Sequence, residues 1–175
     1  MVDHDHGYAP NPYGGICTLV HSKFGDENGK RNIVELAEVG DWILGSGGMG
    51  RKSAGNDKII YFMRVDEKLD FDRYLQDLRF LRREDHVDWG HGNKFALISH
   101  RYFYFGKNAI SASNLPRTIP LQRLFTKGPN FRRDFPISSL IRLVEWFERT
   151  YEVGMHGDPY TAKAVSVKLR MRLIG

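Results

Sequence analysis

The sequence predicts an α+β protein: a single domain over residues 1–175 on a mixed or antiparallel curled sheet, in its specific form a partly open barrel with flanking helices. Three observations predict this. Residues 58–65, Lys-Ile-Ile-Tyr-Phe-Met-Arg-Val, form an almost unbroken apolar run suited to a strand buried on both faces. Residues 163–173 alternate strictly, Val165, Val167, Leu169 and Met171 against Ser166, Lys168 and Arg170, which is the period of a strand with one core face. Helical stripes occur between such runs, but not as regular ~30-residue βαβ units, so a doubly wound sheet is disfavoured.

Taken in order, residues 1–15 are polar and turn-rich, and residues 16–21 (Ile-Cys-Thr-Leu-Val-His) predict a first strand. Residues 24–30 read as a polar loop, and Ile33, Val34, Leu36 and Ala37 suit a short helix against the sheet. Trp42, Ile43 and Leu44 predict a strand that answers Ile59–Val65 across a glycine-rich connection. Phe71, Tyr74, Leu75 and Leu78 fall at i, i+3, i+4 and i+7, a helical stripe with Asp70 placed to cap it. Residues 82–94 are charged and glycine-containing, hence a loop. Residues 95–105 predict a strand, or a strand pair with a bend. Residues 108–136 predict irregular backbone over the core, and Ser138–Tyr151 a helix whose Leu140, Val144, Phe147 and Tyr151 share a face.

Composition narrows the class. Hydrophobic residues make up 41% of 175, enough for a real core, and a formal charge of +5 permits anionic partners. The single cysteine, Cys17, excludes an internal disulfide and suits a reducing cytoplasm. No apolar run approaches the ~18 residues that cross a bilayer, so no membrane partner is expected. With one cysteine and dispersed histidines, no closed metal-ligand set is expected either. Neither a cofactor nor an oligomeric state is legible.

Gly45, Gly47 and Gly50 match G-x-G-x-x-G, but residues 51–58 are too short and turn-rich to be the helix of a dinucleotide fingerprint. The kinase sequences H-R-D-x-x-x-x-N and D-F-G are absent as well. Two readings of the loop remain: a hairpin tip, or a ligand-covering loop whose glycines let backbone approach a bound molecule. In the second reading Asp41 accepts from a base edge and Trp42 stacks on it. Gly45, Gly47 and Gly48 give close approach, and Arg51 and Lys52 meet phosphate. Tyr102 and Tyr104, on one strand face, form a stacking platform or part of a half-buried sheet. Lys168, Arg170 and Arg172 are a further basic strand face. For catalysis the candidates are Cys17 with His21 as its base, and the loop carrying Asp85, His86 and His91.

Three blocks then carry a family likeness. Asp5-His-Gly-Tyr-Ala-Pro-Asn-Pro-Tyr-Gly-Gly-Ile-Cys-Thr-Leu19, residues 39–45 and residues 60–65 with 71–74 resemble the nucleotide modification associated domain family, and Leu97-Ile-Ser99 with Tyr102-Phe-Tyr-Phe-Gly106 continues the likeness. The resemblance spans residues 5 to about 120. It implies a place in bacterial or phage systems that hypermodify DNA bases, and hence a nucleotide or nucleic acid partner, DNA before RNA. Gly40 to Val65 also resembles PUA-like domains that bind flipped modified bases. The expected function is recognition of a nucleotide or base beside the glycine-rich hairpin; the alternative is an enzyme of base hypermodification using Cys17 or the His86–His91 loop.

Overall fold

Strand β3 (Lys58–Arg64) is the hub that its apolar run foretells: five of its seven residues are buried. In the computed structural model, which describes residues 9–21, 33–48, 53–86, 92–120 and 135–159, it pairs with three other strands. β2 (Trp42–Ser46) lies antiparallel on one side, and β6 (Tyr102–Tyr104) and β7 (Ile110–Ser111) antiparallel on the other. β8 (Gly154–Met155) extends this five-stranded sheet, parallel to β6. A second, three-stranded sheet has the order β1 (Cys17–Leu19), β5 (Phe95–Ser99), β4 (Glu67–Asp70), all antiparallel.

Three α-helices, α1 (Ile33–Leu36), α2 (Phe71–Gln76) and α3 (Ile137–Thr150), and short 3-10 helices at Tyr13–Gly15, Gly106–Asn108 and Ala112–Asn114 complete the described elements. The fold is α+β with mixed sheets, as the sequence predicts. The strands do not close into a barrel: among the described residues they make two separate sheets. The physical reason lies in the bend at His100–Arg101. Asp66 Oδ2 accepts from His100 N at 2.7 Å and Arg101 N at 3.3 Å, turning the long 95–105 run from one sheet into the other.

Apolar side chains fill three places. Between the sheets lie Cys17, Leu19, Ile43, Tyr61, Met63, Leu97, Tyr102 and Tyr104. On the far face of the five-stranded sheet, Phe62, Phe103 and Phe105 pack against Leu143 and Phe147 of α3. On the far face of the three-stranded sheet, Val20, Ala96 and Ile98 meet Phe71, Tyr74 and Phe80.

Three local expectations are corrected. Asp70 is the N-cap of α2 but makes no side-chain cap bond, and its carboxylate lies 3.9 Å from Arg73 instead. α2 stops at Gln76 because Asp77 turns the chain, its carboxylate accepting from Arg79 N at 2.9 Å, so Leu78 is 81% exposed rather than part of the stripe. Residues 82–86 are a loop but not wholly a solvated one: Arg82 and Glu84 are exposed, whereas Asp85 is fully buried. The alternating tail at 163–173 and residues 121–134 lie outside the described residues.

Candidate functional site

The Ala9-Pro-Asn-Pro12 and Cys17-Thr-Leu19 blocks meet in a buried polar network. Asn11 and Thr18 face each other as an antiparallel bridge, with N–H to carbonyl distances of 2.8 and 2.9 Å. Their side chains converge on Asp85, Asn11 Nδ2 donating to Oδ1 at 3.0 Å and the Thr18 hydroxyl to Oδ2. Arg83 lies 3.5 Å from the same carboxylate and is itself almost wholly enclosed. Its guanidinium donates to the carbonyls of Asn11 at 2.6 Å, Ile16 at 3.1 Å and Tyr13, and to Thr18 Oγ1 at 3.1 Å. A planar fork of five donors is suited to gathering several acceptors at once.

Two further side chains border the network. Tyr74 is fully buried, its hydroxyl completing no hydrogen bond among the described residues, and burial together with the Asp85 carboxylate holds its pKa well above the ordinary phenol value. His21 bonds the Asp85 carbonyl through Nε2 at 3.0 Å and Asn93 Nδ2 through Nδ1 at 2.9 Å. An amide NH2 can only donate, so Nδ1 is the acceptor and Nε2 carries the proton.

The predicted catalytic pair is thereby divided. Cys17 is fully buried in the inter-sheet core, whereas His21 lies past the end of β1, 6.3 Å ring to ring from Phe71 on the opposite side of the sheet. Of the acid–base loop, Asp85 is in the network, and His86 Nε2 is 3.2 Å from the Tyr74 carbonyl; His91 lies outside the described residues. Among the described residues no group of three or more His, Cys, Asp or Glu is arranged to hold a metal.

The hairpin residues occupy different surroundings. Asp41 is exposed, and its Oδ2 accepts from Glu38 N at 2.9 Å, closing a turn. Trp42 stacks on Phe62 at 4.5 Å between centroids, with the Arg101 guanidinium 5.7 Å from its ring and bonded in turn to Glu148 of α3. Gly45, Gly47 and Gly48 are buried. A Cβ on Gly45 would enter the Tyr61 ring, and one on Gly47 the backbone of Gly55. The close approach these glycines permit is therefore to the protein's own ring and backbone. Gly48 N donates to Ser53 Oγ at 2.5 Å. Arg51 and Lys52 lie outside the described residues.

Tyr102 and Tyr104 are 2% and 0% exposed, forming walls of the inter-sheet core rather than an open platform. The Tyr102 hydroxyl donates to the Pro12 carbonyl at 2.8 Å, which ties the core to the Pro-Asn-Pro block. Burial, then the neighbouring Cys17, pushes its pKa up to about 12. So Cys17, Gly45, Tyr102 and Tyr104 are brought around one cluster, while Asp41, Trp42 and His21 stand apart from it.

Sequence reasoning missed Asn11, Thr18, Tyr74 and Arg83 as a unit. The available signal was an arginine and an aspartate within the residue run that follows α2, but nothing local links them to partners 65 to 74 positions earlier.

The two sheets and the network buried behind the Pro-Asn-Pro segment define an α+β protein whose N-terminal half carries its polar core. That half, residues 1–90, matches the family model described as nucleotide modification associated domain 2, and the chain belongs to that family. Its membership associates it with nucleotide modification. No curated protein and no solved structure matches the chain. No helix among the described residues is long and apolar enough to cross a membrane.

Proposed function

We propose that the chain folds as one domain and binds a nucleotide or nucleobase on behalf of a DNA base-hypermodification system, beside the glycine-rich hairpin. The observation that carries this reading is the border of the inter-sheet cluster. Around Cys17, Tyr61, Tyr102 and Tyr104, three partly buried positions are alanines from three separate segments. Ala9 belongs to the Pro-Asn-Pro block, Ala54 to the hairpin connection, and Ala109 to the chain between β6 and β7. In this reading a flat aromatic ligand lies at this border, where small side chains interpose the least bulk between it and the aromatic cluster. The formal charge of +5 favours an anionic ligand.

The test is calorimetric titration with the deoxynucleoside monophosphates and with short DNA. Ala54→Leu and Ala109→Leu fill the border without removing a polar group. Each is expected to weaken binding roughly tenfold or more, about 1.4 kcal/mol, with the thermal melt unchanged. Wild-type affinity in both folded variants eliminates the site, and no binding of any nucleotide or DNA by the wild-type protein eliminates the function.

A further inference from the structure

Two polar side chains where the glycine-rich connection enters β3 have no partner among the described residues. Asn56 is part-buried, and its Oδ1 is closed off from solvent without a hydrogen bond. A carbonyl oxygen that gives up water and gains no donor costs stability, so a fold that keeps one asks for a reason. Lys58, the first residue of β3, is part-buried as well. Its ammonium makes no ion pair and no hydrogen bond among the described residues. Lys68 shows the contrast: it is also part-buried, but its ammonium is taken up by the carbonyls of Glu35 at 3.0 Å and Ala37 at 2.8 Å.

Both side chains stand at the border of the inter-sheet cluster. Ala54, two residues before Asn56, packs against that cluster. Ile59 belongs to the opposite face, against α3, so strand alternation sends the Lys58 side chain to the inter-sheet side. Across the ladder Lys58 faces Ser111, two residues from Ala109, which packs against the same cluster. The backbone between them is held: Gly47 N donates to the Lys58 carbonyl at 2.9 Å, and Lys58 N to the Gly55 carbonyl at 3.1 Å. Two unpartnered polar groups on a fixed turn are preorganised for a ligand, because their ordering is met on folding and not on binding.

We infer that Asn56 and Lys58 determine what the site beside the hairpin accepts: the Asn56 carboxamide reads the Watson–Crick edge of a nucleobase, and Lys58 holds the phosphate of the same nucleotide. This rests on the nucleotide-binding reading above and deepens it by naming the ligand class, a 5′-phosphorylated nucleotide whose base is unpaired. The enclosed oxygen of Asn56 accepts an N–H from the base, and its NH2 donates to the ring nitrogen or carbonyl beside that N–H. Each base carries such a donor next to an acceptor on the edge that pairing occupies in a duplex, so a paired base is excluded. The ammonium of Lys58 is a point charge on a flexible stem, which suits a phosphate without fixing its orientation.

The test is calorimetric titration with matched probes. Each deoxynucleoside monophosphate that binds is compared with an analogue lacking its Watson–Crick N–H: the purine deoxyriboside for adenine, 2-pyrimidinone for cytosine, N1-methylguanine or N3-methylthymine. Each is also compared with its nucleoside and with the 5′-phosphorylated trinucleotide of the same base. The wild-type protein is expected to bind the analogue roughly tenfold or more weakly than the parent. It is expected to bind the nucleoside more weakly than the monophosphate, by a margin that shrinks with salt. Whether the monophosphate or the trinucleotide binds more tightly identifies the source, free nucleotide or strand. Asn56→Ala is expected to abolish the preference for the parent while the thermal melt does not fall, because the oxygen it removes has no partner; a structural role would lower the melt. Lys58→Met keeps the stem and is expected to weaken monophosphate binding roughly tenfold while leaving the nucleoside unaffected. Should either variant fail to fold, the analogue and nucleoside comparisons on the wild-type protein decide alone. Equal wild-type affinity for parent and analogue, or for monophosphate and nucleoside, overturns the inference, as does wild-type discrimination by the folded variants. Where that happens and binding still responds to Ala54→Leu, this inference falls alone and the proposed function stands; if no nucleotide binds the wild-type protein, both fall.

Discussion

The outer faces of the two sheets are covered by opposite chemistries. Over the five-stranded sheet, Phe62, Phe103 and Phe105 pile against Phe147 of α3, with Phe62 and Phe147 rings 4.6 Å apart. Over β1 of the three-stranded sheet, the cover includes the Asn11, Thr18, Arg83 and Asp85 network, bordering an aromatic pile of Tyr74 and Phe80. Apolar contacts are non-directional and tolerate repacking, whereas a buried charge tolerates only its own partner. The difference teaches where the molecule is replaceable and where it is not.

That contrast gives the largest expected effect. Asp85→Asn keeps the shape but leaves Arg83 charged, enclosed and uncompensated, and is expected to cost about 3–5 kcal/mol. Phe147→Leu on the other face is expected to cost about 1.5 kcal/mol, because neighbouring rings can shift towards it. Urea denaturation of the two variants measures both. An Asp85→Asn loss no larger than that of Phe147→Leu breaks the comparison.

Between the sheets, Gly45 stands under the Tyr61 ring. Gly45→Ala is expected to destabilise by about 1–3 kcal/mol through overpacking. Its opposing atom is a ring and not backbone, so the Gly45→Ala, Tyr61→Phe double variant should stay equally unstable, the clash being with ring carbons. Full stability of Gly45→Ala in thermal melts shows instead that Tyr61 has room to swing aside.

The same contrast governs what was legible. The apolar run of β3, the stripe of α3 and the split strand at 95–105 are local patterns, and each declares itself by period. α1 and β1 were also placed within a few residues. The network was not, because Asn11 and Arg83 look like ordinary turn and loop residues until a partner 72 positions away is known. β4 was missed for a related reason: Glu67-Lys-Leu-Asp70 shows no apolar alternation, since it is partly exposed and held by pairing with β5. Asp41, Trp42, Gly45 and Gly47, chosen in the hairpin for ligand contact, have neighbours within the protein, since a glycine-rich sequence does not reveal whether the close neighbour is a ligand or a tyrosine.

A smaller effect is expected at Tyr102, where the inter-sheet core touches the Pro-Asn-Pro block. Tyr102→Phe removes the hydroxyl donor to Pro12 and is expected to cost about 1 kcal/mol at neutral pH. Its pKa is raised in the folded state, from 10.0 to about 12, so the fold favours the protonated phenol. The corresponding stability is complete below pH 10 and is lost as pH rises from 10 towards 12. Denaturation curves across that window should fall less steeply for Tyr102→Phe than for the wild-type protein; parallel curves would show that Tyr102 does not titrate there.

The smallest effect sharpens the comparison most directly, because it concerns an arginine four positions from Arg83. Arg79 pairs with Glu67 at 2.8 Å and Asp77 at 2.7 Å, with a hydrogen-bond count no poorer than that of Arg83, yet its side chain is 41% exposed. Water screens each of these contacts, and exposed pairs of this kind contribute about 0–1 kcal/mol. Arg79→Ala is therefore expected to cost under about 1 kcal/mol, a fraction of the Asp85→Asn effect. It should also alter the acid limb of the stability profile. Hydrogen bonding to Arg79 holds the Glu67 carboxyl below its ordinary value of 4.5, so the stability it lends is present above that value and is lost as pH falls through the lowered one. Without Arg79 that acid-dependent loss should shrink, and its salt sensitivity with it. If Arg79→Ala instead destabilised as strongly as Asp85→Asn, burial would not be what separates the two arginines, and the contrast between an enclosed clamp and a solvated ion pair would fail.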